Sequence, residues 1–187
     1  MLNQNGSHIL NHLDPVYTRR ILADMIQIRS IIGEEGPLAD YIYRELKSLG
    51  VESCVEEVEP GRSNVYARIK GSQPGKRLHF NGHMDTVPVC EGWTKDPFKP
   101  VIEDGRMYGL GACDMKAGIA CILNLLRAIQ LCGCDFPGEV SFSAVVDEEA
   151  YSKGSRAALE SGYLDCDAII LAEPFPGNED MPVPLGI

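Results

Sequence analysis

Hydrophobic positions along the chain fall into two kinds of spacing, and these predict its elements. Ile21, Leu22, Met25 and Ile26 recur at the helical period after Asp14-Pro15, a cap residue followed by a proline suited to the first helical turn. Leu38, Ile42, Leu46 and Leu49 form a second stripe, which opens near Pro37 and stops at Gly50. The pattern then shortens. Residues 51–58 and 64–69 read as strands about Pro60-Gly61, residues 71–75 as a turn, and residues 78–82 as a short buried strand. Residues 101–108 suggest a small hairpin around Asp104-Gly105. Residues 116–131 form a helix that is apolar on nearly every face, so it should be buried; Gly133 ends it. A continuous apolar strand at 140–146, a helix at 152–161 and another buried strand at 168–172 follow.

Helix, strand, helix, strand in that order predicts an α/β fold, a mixed and largely parallel sheet with helices on both faces. Residues 1–13 are polar and read as a loose N-terminus, residues 14–175 as one domain, and residues 176–187, rich in proline, as a linker.

Composition narrows the function. With 44% hydrophobic and 24% charged residues the chain is that of a globular protein. A formal charge of -10 argues against nucleic acid, which needs clustered Lys and Arg, and leaves open whether carboxylates gather around cations. Seven cysteines, an odd number without a Cys-x-x-Cys, suggest reduced thiols in a cytoplasmic protein. No signal peptide is recognised in residues 1–13, and no apolar run approaches the roughly 20 residues of a membrane span.

The candidate chemistry lies where strands stop. In open α/β sheets, sites form beyond the carboxyl ends of the strands. The 78–82 strand runs into His83 and Asp85, two apart and so on one side. The 140–146 strand ends in Asp147-Glu148-Glu149, the 168–172 strand ends in Glu173, and Asp114 opens the buried helix. Singly these have plain explanations: Asp114 as a helix cap, the glutamates as solvated side chains, Glu173 as a strand end. Together they would repel one another without cations. Two divalent ions would neutralise them, and oxygen and nitrogen donors suit zinc, manganese or cobalt. Gly109-Leu110-Gly111 before a helix suggests a dinucleotide loop, but Asp114 stands where a third glycine would be and would repel a pyrophosphate. No Gly-x-Ser-x-Gly is present. His79 is in phase with His83, and packing or a structural hydrogen bond is its expected role.

Gly82-His83-Met84-Asp85-Thr86-Val87-Pro88, Trp93 with Asp96-Pro97-Phe98, Gly105-Arg106-Met107-Tyr108-Gly109, Asp114-Met115-Lys116, Asp147-Glu148-Glu149 and Glu173-Pro174 occur in order. They resemble the di-zinc amidohydrolases, the family of acetylornithine deacetylase, succinyl-diaminopimelate desuccinylase, aminoacylase and carboxypeptidase G. The resemblance implies a zinc-exopeptidase-like catalytic domain, of which 14–175 would be the N-terminal part and 176–187 the way to an absent lid domain. It implies two metal ions, zinc with cobalt or manganese as alternatives. Asp114 would bridge them, His83 and Glu173 would complete one site, and Glu149 would serve the other. Asp85 would orient His83, Glu148 would be the general base, and the Asp114–Met115 peptide would be cis. The implied reaction is hydrolysis of an amide bond in a small-molecule N-acyl amino acid or a peptide, with neither nucleic acid nor membrane as partner. Every histidine lies at or before position 83, so the late histidine of the family's second metal site has no counterpart and activity is expected to be impaired. The alternative is a non-catalytic chain that folds, binds at most one ion and associates with another chain, or with itself as a homo-oligomer.

Overall fold

The structure, a computed structural model, describes residues 4–133 and 135–174; the expected linker at 176–187 lies outside the described residues. The elements in order are α1 (Gln4–Asn11), α2 (Pro15–Gln27), α3 (Gly36–Ser48), β1 (Glu52–Glu59), β2 (Arg62–Lys70), β3 (Gln73–His83), β4 (Val101–Glu103), β5 (Arg106–Tyr108), α4 (Lys116–Cys132), β6 (Pro137–Val145), α5 (Lys153–Glu160) and β7 (Ala168–Leu171). The segment expected to be loose therefore contains a helix, α1. Its neighbour α2 starts as its sequence predicts: the Asp14 carboxylate accepts from the Val16 amide at 2.9 Å, with Pro15 at the first position.

Five strands form one mixed sheet in the order β1-β2-β6-β3-β7. β1, β2 and β6 pair antiparallel, whereas β3 runs parallel to both β6 and β7. The alternation of side chains in this register decides the rest. Val65, Ala67, Phe142 and Ala144 point to the side on which Ile21, Met25, Leu38, Ile42, Leu46, Ile119, Leu123 and Leu126 from α2, α3 and α4 complete one buried cluster. The alternate residues point to the other side, where α5 lies: Asn64 donates to the Gly154 carbonyl at 2.8 Å, and Tyr66 stacks on Tyr163 with ring centres 3.6 Å apart.

That second side is polar. His79, 1% exposed, has Nδ1 2.8 Å from the Ser141 hydroxyl and Nε2 2.8 Å from the Ser143 hydroxyl, while Asn81 donates to Ser143 at 2.7 Å. The structural role expected for His79 is what the structure shows. Burial, with a smaller contribution from Arg77, lowers the pKa of His79 from 6.5 to about 4. The sign follows from linkage: the folded chain binds this proton less well than the unfolded chain does. Stability from neutral His79 is therefore complete above about pH 6.5 and falls away as the pH drops towards about 4. The difference amounts to roughly 3 kcal/mol at most. Urea unfolding at successive pH values should show this acid loss, and His79→Asn should flatten it; identical slopes in both proteins would contradict the assignment.

Two expectations need correction. β7 was expected to be buried, yet Ile169, Ile170 and Leu171 are 46%, 46% and 58% exposed, because among the described residues β7 pairs only with β3 at the sheet's edge. The cysteines do not form a wholly reduced set. Cys54, Cys90, Cys113, Cys121 and Cys166 are free, but Cys132, at the end of α4, is disulfide-bonded. No helix among the described residues is long and apolar enough to cross a membrane.

Candidate metal centre

The three parallel strands β6, β3 and β7 are adjacent, so their carboxyl ends come together, as the sequence predicts for the groups that follow them. His83 is the last residue of β3 and is 1% exposed. Its amide is held by the Met115 sulfur at 3.0 Å, and its Nδ1 lies 2.9 Å from the main-chain oxygen of Asp85. A carbonyl can only accept, so Nδ1 carries a proton and the lone pair of a neutral ring is on Nε2. Nε2 faces Asp114 Oδ1 at 3.1 Å, Glu173 Oε1 at 3.6 Å and Glu148 Oε2 at 3.7 Å. One ligand atom each from His83, Asp114 and Glu149 lies within 4.8 Å of the others. Glu149 thus lies in one group with His83 and Asp114, and Glu173 borders it.

The electrostatics favour a cation there. Burial disfavours charge on His83, but Asp85 and Glu173 outweigh it and raise its pKa. Burial and then the Asp114 carboxylate push Glu149 up; burial, Asp114 and the two neighbouring glutamates do the same for Glu173. Carboxylates that resist ionising next to one another, around an imidazole lone pair, are a donor set that a divalent ion fits.

Asp85 is fully buried and has two attachments. Its carbonyl orients His83, while its carboxylate is 3.7 Å from the His83 Nδ1. The same carboxylate accepts the amides of Glu148 at 3.1 Å and Glu149 at 2.9 Å. This second task was not visible in the sequence. A regular strand would send Glu148 and Glu149 to opposite faces. The chain avoids that by leaving the sheet at Asp147, whose φ of 65° is left-handed, and by turning again at Ser152, φ 54°. Gly154 allows closeness: a Cβ there would lie 2.5 Å from the Val146 oxygen and 2.6 Å from Asn64 Oδ1.

The other wall is set by α4. The Asp114–Met115 peptide is cis and Met115 is fully buried. Lys116, 1% exposed, donates to the carbonyls of Met25 at 2.9 Å and Ile28 at 3.0 Å and so ties the start of α4 to the end of α2; burial alone lowers its pKa to about 8. Close approach of the two backbones brings Glu173 near: a Cβ on Gly118 would be 2.3 Å from the Ala172 oxygen.

A histidine and four carboxylates gathered at the carboxyl edge of a mixed α/β sheet form a donor set that suits a divalent cation. The chain belongs to peptidase family M20/M25/M40, whose model matches residues 79–185. It is 39% identical over 145 residues to succinyl-diaminopimelate desuccinylase of Methylobacterium radiotolerans, covering 74% of this chain and 36% of that enzyme. A metallo-carboxypeptidase of the same family from Sulfolobus solfataricus superposes with a TM-score of 0.73 at 25% identity, over 83% of this chain and 37% of that one. A dinuclear metal-binding peptidase of the family from Bacillus subtilis gives 0.60 at 26% identity, over 84% and 43%. The chain spans less than half the length of these relatives.

Proposed function

We propose that this chain carries the metal-binding part of an amide hydrolase acting on an N-acyl amino acid or a small peptide. The observation that carries the reading is the convergence of His83 Nε2 with the carboxylates of Asp114 and Glu149, with Glu173 beside them. The kinship to a desuccinylase and a metallo-carboxypeptidase supports amide substrates that bear a carboxylate. Residues 14–175 would be the N-terminal part of the catalytic domain.

His83, Asp114, Glu149 and Glu173 would hold divalent ions, zinc with cobalt or manganese as alternatives; a bound ion polarises a carbonyl oxygen and acidifies a water. Each residue has a task that its surroundings support. His83 presents Nε2 because Asp85 fixes Nδ1. Asp114, with its side chain 55% exposed, is open both to the site and to solvent. Glu148, 44% exposed and 3.7 Å from Nε2, is free to take a proton from water on Oε2 and to deliver it to the leaving nitrogen. With His83 the only histidine at the centre among the described residues, one ion should bind more tightly than any second.

Calorimetric titration of the metal-free chain with zinc or cobalt tests this. One tight equivalent is expected, weakened in Asp114→Asn. Any slow release of amine from an N-succinyl or N-acetyl amino acid should disappear in Glu148→Gln while binding persists. A chain that takes up no ion, or binds two with equal tightness, would overturn the reading.

A further inference from the structure

The loop that presents Glu148 and Glu149 is gripped at both ends by carboxylates. Asp85 holds the first two amides. At the far end, Asp147 Oδ2 accepts from the amides of Tyr151 at 3.2 Å and Lys153 at 3.4 Å, and the Asp147 carbonyl accepts from Ser152 at 2.6 Å. The other oxygen of Asp147, Oδ1, faces Arg62 Nη2 at 2.9 Å. Arg62 is therefore the only side chain described that links this loop to the rest of the fold by an ion pair at Asp147.

Arg62 is itself fully engaged. Its Nε and Nη2 reach the two oxygens of Glu35 at 2.8 and 2.6 Å, a planar fork that a lysine does not offer. Its Nη1 reaches Glu59 at 2.5 Å, and Glu59 in turn accepts from Lys153 Nζ at 2.6 Å. The side chains are buried: 11% of Arg62, none of Glu35 and 2% of Asp147 is exposed. The backbone makes room for this. A Cβ on Gly36 would be 2.4 Å from the Gly61 oxygen, so the β1–β2 turn lies directly on the start of α3 and Arg62 meets Glu35 there. Burial works against ionised Asp147, but Arg62 and the loop amides outweigh it and hold its pKa below the usual range.

We infer that Arg62 is a positioning residue for the candidate centre: by anchoring Asp147 it fixes the turn that aims Glu148 and Glu149 at the site. It touches no ligand group. This inference rests on the proposed role of those two glutamates, but its first test does not need a metal.

Amide hydrogen exchange on the metal-free chain should show Tyr151, Ser152 and Lys153 exchanging at least about tenfold faster in Arg62→Met, with α4 amides unchanged. Arg62→Lys, able to hold one carboxylate but not to fork, should lie between. Arg68→Met, which removes an exposed pair with Glu52 from the same strand, should leave the loop as it is. In the same variants cobalt affinity should fall about 10–100-fold for Arg62→Met, with altered visible absorption of the bound ion, and recover in part in Arg62→Lys. Unchanged loop exchange in folded Arg62→Met would overturn the inference, whether or not cobalt binds. If the wild type takes up no cobalt, the metal reading fails and exchange still decides on Arg62. Should Arg62→Met not fold, Asp147→Ala and Glu35→Gln decide: the first should free the loop, the second should not, and the reverse pattern would overturn the inference.

Discussion

Replacing His83 by alanine is expected to weaken zinc or cobalt binding by more than about a hundredfold, beyond the 10–100-fold that outer partners of a ligand cost. The reason is geometric. Nε2 of His83 is the one nitrogen donor at the centre among the described residues, and it is the atom around which Asp114, Glu148 and Glu173 are spaced at 3.1, 3.7 and 3.6 Å. Without it, a cation is left with carboxylates from three separate segments and no fixed nitrogen. Calorimetry on a variant shown by circular dichroism to be folded would check this. Affinity within tenfold of the wild type would mean that the carboxylates alone make the site.

Replacing Asp85 by alanine should destabilise the metal-free chain by about 2 kcal/mol. Two main-chain amides, those of Glu148 and Glu149, lose their acceptor, and a left-handed turn loses one of its holds. Burial raises the pKa of Asp85 despite those amides, so part of the cost of desolvating the carboxylate remains in the wild type. That residual cost keeps the expected loss below the sum for two unsatisfied buried donors. Asparagine, which can accept one amide but sets its own NH₂ against the other, should fall between. Urea unfolding measures the difference; a variant as stable as the wild type would show that water replaces the carboxylate without cost.

What the chain revealed in advance was local. The cap of α2, the apolar stripes of α2 and α3, the hairpin at Asp104-Gly105 and the stop at Gly133 follow from residues a few positions apart. The gathering of His83, Asp114, Glu148, Glu149 and Glu173 was legible because every one ends or opens an element, and parallel strands deliver their ends to one edge. Arg62 was not, because it follows a Pro-Gly turn and meets partners 27 and 85 positions away; nothing near it in sequence marks it as buried. The exposure of β7 was hidden for a related reason. Ile169, Ile170 and Leu171 are as apolar as a buried strand, and burial depends on what lies alongside. The double task of Asp85 was missed because one side chain can accept from amides that only the fold brings within reach.

The contact at Gly118 has a consequence for how the centre could adjust. Asp114 lies just before α4 and Glu173 just after β7, and the helix and strand meet there with no room for a methyl group. His83, Asp114 and Glu173 thus belong to a single stiff wall, whose spacing is set by backbone against backbone. The opposite wall is the short turn from Asp147 to Ser152, closed by its own main-chain hydrogen bond and tied to the rest of the fold through the side chains of Asp85, Asp147 and Arg62. An incoming ion or substrate larger or smaller than the fixed wall prefers would be accommodated from that one side, as a vice closes with one jaw.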